Sequence, residues 1–406
     1  MTLDEARTLD AADPLAFARQ RFRLPDGVVY LDGNSLGALP AVLPARLAEV
    51  AERQWGEDLI TSWNKHGWID WPARIAAKLA SIVGAEPNEL IIADSTSVLL
   101  FKLLAGAVAA RPGRTVILTE DRNFPSDLYV AQGLAAMQGL KVKAVPAADI
   151  VHAFDQQVAA VMLTHVDYRS GQRHDMAAIN AAARVAGALT LWDLSHSAGA
   201  LELSLFADGC DLAVGCGYKY LNGGPGAPAF AYVPTSLQAE IISPVSGWMG
   251  HAAPFAFEPV HRPAKGMTRY LSGTPSILAL AAMEAGLDTF AGVEMTAVFE
   301  KSRALSELFI SQVEQQCPDL ALASPREPEV RGSHVSFAHP DGYAVMQALI
   351  ERGIIGDFRA PDLLRFGFAP LYNSFEEVWR AADQLRHVLG NRAYDQPHFR
   401  ERARVT

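Results

Sequence analysis

Residues 188–193 read ALTLWD and run without a break into LSHSAG at 194–199. An apolar run of strand length that ends in a carboxylate and then in small turn-forming residues describes a buried strand with Asp193 at its carboxyl end. Ligands gather at that end of the strands in open α/β sheets. A carboxylate buried there is costly unless a cation answers it. The plainer use of Asp193 or Ser195 is to cap a following helix, so the decision rests on finding the cation. Lys219 is the candidate. It follows the apolar residues 212–214 and precedes NGGPG at 222–226, a poor place for an ordinary surface charge, and lysines are seldom buried unless paired or functional. An amine in a low-dielectric site gives up its proton more readily and can form an imine with an aldehyde cofactor. Pyridoxal 5′-phosphate (PLP) requires such a lysine together with a carboxylate at its pyridinium nitrogen. Asp193 and Lys219 would supply the two.

Outward from this stretch, further short apolar runs read as strands: TVILT at 115–119, AAVMLT at 159–164, LAVG at 212–215 and PAFAYV at 228–233. Helical patterns separate them. In ARIAAKLASIV at 73–83, Ile75, Leu79, Ile82 and Val83 fall on one helix face. Strands buried on both faces and joined through helices predict a mostly parallel α/β sheet. From about residue 285 the texture changes. Helical segments at 292–316 and 342–351 bracket a strand at 334–337, another strand is expected at 363–368, and 323–332 reads as a loop. A large domain over 41–285 and a smaller α+β domain over 286–406 are expected, with residues 1–40 as an N-terminal segment packing against the smaller one.

The composition agrees. The 406 residues carry 35 Lys+Arg against 45 Asp+Glu, a net charge of −10, and half are hydrophobic. That is enough apolar material for a large core. The acidic balance argues against nucleic acid as a partner, since phosphate binding relies on clustered Lys and Arg. No run approaches the roughly 18 apolar residues of a membrane span. The opening MTLDEARTLDAADPLAFARQ is acidic and interrupted, unlike a signal peptide. Three cysteines, Cys210, Cys216 and Cys317, with no metal-ligand spacing, point to reduced thiols in a cytoplasm rather than to disulfides or a metal.

A phosphate-bearing cofactor also needs an anion cradle. Asp94-Ser95-Thr96-Ser97 precedes the helix-like segment 98–108, which places hydroxyls and free N–H groups at a helix N-terminus. A simple cap is the equal alternative for that cluster alone. Phe124, in FPSD at 124–127 after the strand at 115–119, could stack on a pyridine ring, although core packing is the commoner fate of such an aromatic.

Taken in order, these pieces resemble one family. WDLSHSAGA, GCGYKYLNGGPG, FPSD and LTHVDYRSGQ (163–172), with YLDGNSLG (30–37), WGEDLITSWNKHGW (55–68), SGWMGH (246–251), GTPSI (273–277) and RAPDLLRFGFAPLYNSF (359–375), are similar almost end to end to the kynureninases, fold-type I PLP enzymes of tryptophan catabolism. Within the wider aminotransferase class V group, cysteine desulfurases carry Gln three residues after the cofactor aspartate and His beside the lysine. This chain has His196 and Tyr218, as kynureninases do. The only cysteine after the lysine, Cys317 in EQQCPDL, reads as structural.

The resemblance implies a mostly parallel seven-stranded sheet sandwiched by helices, PLP as cofactor, and hydrolysis of L-kynurenine to anthranilate and L-alanine. It implies that Lys219 holds the cofactor covalently and then shuttles the Cα proton, that Asp193 keeps the pyridine nitrogen protonated with Asp127 assisting, and that Phe124 stacks on the ring. Thr96, Ser97, Tyr218, Trp248 and Thr274 are its expected phosphate-side contacts, and Thr164 and His196 should line the ring edge. Arg365 matches the arginine that grips the substrate carboxylate through two parallel hydrogen bonds. A surface ion pair is the plainer reading of it, and Arg359 is its competitor. Tyr218 is the expected general acid/base, in a cationic setting that lowers its pKa. Ser35 and Trp63 are expected at the substrate, Trp63 favouring kynurenine over its 3-hydroxy form. Trp68 and Trp71 read equally as core, and His66 as a surface residue. The resemblance also implies a homodimer with its sites at the subunit interface. Another PLP enzyme of this fold, or a protein that kept the fold without catalysis, is the alternative. The His196 and Tyr218 pair opposes the first, and intact Lys219, Asp193 and Arg365 oppose the second.

Overall fold

A computed structural model describes residues 1–402. Seven strands form the main sheet, in the spatial order Leu90–Ala93, Ala229–Tyr232, Leu212–Gly215, Leu189–Asp193, Val158–Thr164, Val116–Glu120 and Lys141–Val145. Ala229–Tyr232 runs antiparallel to both neighbours, and the remaining pairs are parallel. The three central strands, Val158–Thr164, Leu189–Asp193 and Leu212–Gly215, are buried along their whole length, which is why they read as unbroken apolar runs instead of alternating ones. Helices cover both faces. One of them, Trp71–Val83, turns Ile75, Leu79, Ile82 and Val83 into the core and ends where Gly84 enters the left-handed region at φ 63°.

Of the main sheet's seven strands, two lie outside the expected set, and so does the helix after Phe124. Lys141–Val145 closes the sheet edge with a half-exposed face. Its lysines suit an edge, where charge discourages further pairing, but they hide the strand from an apolar-run reading. Leu90–Ala93 is only four residues long. The helix Pro125–Gln138 begins directly after Phe124, with proline at its first position.

The C-terminal part builds a second, antiparallel sheet in the order Ala321–Leu322, His334–Ala338, Leu363–Gly367, Asp357–Arg359. Its own apolar cluster includes Ala6, Val29 and Leu31 from the N-terminal segment. Val29–Tyr30 pairs in parallel with Ile354–Ile355. The helix Leu3–Ala11 reaches Phe375–Gly390, where the Phe375 and Glu376 amides donate to the Asp10 carboxylate at 2.7 and 2.9 Å. A short helical turn, Pro328–Val330, interrupts the segment expected to be a loop. No helix among the described residues is long and apolar enough to cross a membrane.

Trp68 and Trp71 are buried in the main core. His66 departs from its expected place on the surface. Its side chain is only 13% exposed, and Nε2 lies 2.7 Å from the Asp58 carboxylate, which supplies a charged partner inside the turn.

Candidate active site

Asp193 ends its strand fully enclosed. The Ser195 amide donates to Asp193 Oδ1 at 2.7 Å, while the Asp193 carbonyl accepts from the His165 amide at 2.9 Å. The loop after Leu212–Gly215 then brings Lys219 back over the strand ends. It is tied by Asn222 N to Lys219 O at 2.9 Å and Gly223 N to Gly217 O at 2.8 Å, and Gly37 N, from the N-terminal segment, donates to Tyr218 O at 2.8 Å. Gly37 has to be glycine at this approach, because a Cβ there would sit 2.4 Å from the Lys219 carbonyl oxygen.

Lys219 Nζ lies 3.2 Å from His196 Nε2 and 5.8 Å from the ring centroids of both Phe124 and Tyr218. One cavity is lined by Lys219, Asp193, His196, Tyr218 and Phe124, with Asp127 and Thr164 on its wall and Thr96 and Ser97 at one end. Thr96 and Ser97 open the helix Thr96–Ala109, whose first turn is capped by Ser95 Oγ accepting from Val98 N at 3.4 Å. Asn123, absent from the sequence-based set, anchors this wall. Its Oδ1 accepts from the Phe124 amide at 2.7 Å and from the Thr164 hydroxyl, and its amide donates to Thr119 Oγ1 at 3.1 Å. Thr164 also reaches Asp127 Oδ2 at 3.3 Å.

Burial sets the electrostatics. It raises Asp193, against the nearby Lys219 charge and the Ser195 hydrogen bonds that favour the ionised form. Asp127 is pushed well above the carboxylate range by burial and by the Asp193 charge. A cationic ring nitrogen is what would let a carboxylate in this place stay ionised. Burial and Lys219 hold His196 far below the usual imidazole range, so it is neutral, and its Nδ1 has no partner among the described residues. Tyr218 departs from the expectation of a lowered pKa. Burial, then Cys216 and Asp193, raise it, which keeps the phenol protonated.

Not every expected residue joins this cavity within one chain. Thr274 is exposed and lines a separate cleft with Asp94 and Gly226. Trp248 lines another with His251 and Phe257. Trp63 packs edge-to-face on Trp68, centroids 5.9 Å apart, at the rim of the main core.

Arg365 is not a surface ion pair. It is 1% exposed and forks onto Asp357, with Nε to Oδ1 at 2.8 Å and Nη2 to Oδ2. Nη1 donates to the Tyr168 carbonyl at 2.5 Å, and Nη2 to Ser35 Oγ at 3.0 Å. Arg359 approaches the same Asp357 Oδ2 at 2.8 Å and is 35% exposed. Arg365 and its competitor thus share one carboxylate.

The family described as "Kynureninase C-terminal domain" matches residues 298–385. Over an alignment that spans the whole of both chains, the sequence is 49% identical to the kynureninase of Pseudomonas fluorescens, and equally so to that of Burkholderia mallei strain SAVP1.

The chain belongs to the kynureninase family.

It is accordingly a PLP-dependent hydrolase. Among solved structures, the apo cysteine desulfurase of Thermococcus onnurineus NA1 superposes with a TM-score of 0.78 at 19% identity, covering 93% of this chain and 98% of that one. The complex of the cystine C-S lyase C-DES with cysteine persulfide superposes at 0.77 and 21% identity, covering 89% and 98%. These two share the fold. The residues present fit the kynureninase cofactor on this chain's own chemistry: a buried lysine beside an unpartnered imidazole nitrogen, a carboxylate short of a cation, an aromatic face and a hydroxyl-bearing helix N-terminus. Asn123, Asp357 and His334 were missed by sequence reasoning. His334 is fully buried, its ring 5.4 Å from that of His196. Their only sequence signal was an uncommon polar residue beside or within an apolar strand.

Proposed function

We propose that this chain hydrolyses the Cβ–Cγ bond of L-kynurenine, giving anthranilate and L-alanine, as a cytoplasmic homodimer whose own residues divide the work as follows. Bound in the Lys219 cavity, PLP supplies an electron sink for the bonds broken at the substrate's Cα and Cβ. Lys219 would hold the cofactor through its amine and, with that amine free, would take the substrate's Cα proton and return it. Asp193 holds a proton at the pyridine nitrogen, with Asp127 behind it. Phe124 covers the ring face, and Thr164 and neutral His196 meet its edge. Thr96, Ser97 and Tyr218 hold the phosphate side.

Arg365 orients the substrate through its carboxylate, with Ser35 beside it. Water would add at the Cγ carbonyl, the carbonyl oxygen taking a proton as the water loses one, and the hydrate would lose a proton as the Cβ–Cγ bond breaks and anthranilate departs. Tyr218, kept protonated by its burial, is suited to give the carbonyl oxygen its proton and, recharged by the proton that the water or the hydrate loses, to protonate Cβ. The position of Thr274 and Trp248 outside their own chain's cavity supports a partner that receives them. So do the exposed Phe255, Phe257 and Val260 near Trp248. Trp63 favours the unsubstituted aromatic ring.

The observation that carries this reading is Lys219 at 3.2 Å from a neutral His196, above Asp193, in a chain of this family. The test is to mix PLP-saturated protein with L-kynurenine and follow anthranilate fluorescence, with alanine measured in parallel and sedimentation velocity giving the mass. Anthranilate and alanine in equal amounts, from a particle of twice the chain's mass, are expected. Failure to release the aromatic amine from either kynurenine or 3-hydroxykynurenine would sink the proposal.

A further inference from the structure

Four ionisable side chains meet at the junction of the N-terminal segment with the second sheet. Asp357 and Arg365 face each other across paired strands, Asp357 opposite Arg365 in register. Arg359 comes from the end of the same strand as Asp357. Ser35, in the N-terminal segment, donates to Asp357 Oδ2 at 2.7 Å and accepts from Arg365 Nη2 at 3.0 Å and Arg359 Nη2 at 3.4 Å. Asp32 lies three residues before Ser35, bridged to Gly367. A single arginine would suffice to grip one carboxylate. The second arginine and the two aspartates therefore need an explanation.

We propose, on the strength of the kynureninase reading above, that Asp357 is a positioning residue that holds Arg365 and Arg359 together as one two-cation site for the substrate's α-carboxylate, and that Asp32 sets the net charge of that site. The geometry assigns the first part. Asp357 occupies the Nε edge of Arg365 and, through Oδ2, one end of Arg359, so both planar groups are fixed before any substrate arrives. Preorganised donors lose less conformational freedom on binding. The remaining donors point at soft partners, a serine hydroxyl and the Tyr168 carbonyl, which an incoming carboxylate can replace with a charged acceptor.

The second part follows from the charges. The ionisable groups facing Asp32 are Asp357, Arg365 and Arg359, with the phenols of Tyr30, Tyr220 and Tyr372 behind. Burial and the Asp357 charge push Asp32 up to about 8. Burial works to raise Asp357 too, but the hydrogen bonds and charges of Arg365 and Arg359 hold it below the usual range. The three phenols are raised and stay neutral. At neutral pH, two guanidiniums and one carboxylate leave one positive charge, matched to a monocarboxylate. Above pH 8, ionised Asp32 cancels it.

The test compares PLP-loaded wild type with Asp357→Asn, Asp357→Glu, Arg359→Gln and Asp32→Asn. Two readouts are taken across pH 6.5–9.5: KM and kcat for L-kynurenine, and L-alanine binding followed by visible absorption. Positioning predicts that Asp357→Asn raises KM and the alanine Kd by about 10-fold or more, kcat changing by less than about 3-fold, and that Asp357→Glu recovers part of the loss. A tighter alanine complex in Asp357→Asn would mean that charge alone matters and would overturn the positioning role. Arg359→Gln is expected to weaken alanine binding at pH 7, and Asp32→Asn to remove the wild-type weakening above pH 8. Arg359 is 35% exposed and Asp32→Asn keeps the size of its side chain, so these two variants carry the test if the Asp357 variants fail to fold. Wild-type protein that binds alanine in this pattern but releases no anthranilate would break the hydrolytic reading and leave this one standing. Active protein in which Arg359→Gln and Asp32→Asn change neither readout by more than about twofold overturns this one.

Discussion

The Lys219 cavity and the Arg365 cluster are both buried and charged, yet they solve burial in opposite ways. At Arg365 every guanidinium nitrogen has a partner within the chain: Asp357, Ser35 and the Tyr168 carbonyl. At Lys219 the Nζ faces a neutral imidazole and two aromatic rings, Asp193 is raised by burial, and His196 Nδ1 has no partner among the described residues. A buried polar group left open costs about 1–3 kcal/mol, and such a cost persists where an incoming group relieves it. The cavity is thus completed by a cofactor, whereas the cluster is satisfied within the chain and, on the proposal above, meets a substrate through its charge excess and the donors held by Ser35 and the Tyr168 carbonyl.

Mutation separates these two designs. Removing the amine in Lys219→Ala should lower anthranilate formation by roughly 10³-fold or more, since on the proposed roles it deletes both the cofactor's anchor and the proton carrier. The same variant should unfold in urea close to the wild-type midpoint, because Lys219 Nζ contacts a neutral imidazole and Asp193, losing the nearby charge, can take up a proton. Wild-type turnover in that variant would end the assignment. Arg365→Ala is expected to behave differently. It strands Asp357 in the interior and should cost about 3–5 kcal/mol of stability, the usual penalty for breaking a buried pair. A shift in the urea midpoint equivalent to less than about 1 kcal/mol would show that water or Arg359 already neutralises Asp357.

The smallest effect concerns acid. Burial, then nearby cations, depress His165 and His334 to about 3, below the value near 6.5 of an exposed imidazole. Both are neutral in the fold, while the unfolded chain takes up their protons below about pH 6.5. Their contribution is therefore present above that pH and lost progressively as pH falls toward 3. Melting temperatures should drop between pH 6.5 and 5, and His334→Gln should shallow that drop. An unchanged slope would mean that the ring is hydrated.

Legibility in the sequence followed the range of the interactions. The strand Leu189–Asp193, the loop carrying Lys219 and the helix Trp71–Val83 were readable because apolar runs, helix periodicity and glycine-rich turns are local signals. The seven-strand sheet and Arg365 came through resemblance to a family. Lys141–Val145 was invisible because an edge strand needs no apolar face. Asn123 was invisible because its role depends on Thr119 and Thr164, which belong to two different strands. For Tyr218 the residue was readable and its environment was not. A phenol beside a lysine looked cationic in sequence, but the fold sets it among Cys216, Asp193 and apolar atoms.

By itself, then, the sequence determined which residues could do chemistry and which backbone segments would present them, since propensity, periodicity and turn formation act over a few residues. The tertiary structure alone decided which groups lose their water and which charges share a partner. Arg365 and Arg359 are equivalent on paper, and Asp357 and Asp32 are ordinary acids. They became one cluster because the N-terminal segment packs on the second sheet, and hydration and Coulomb energy depend on distance in space, not along the chain.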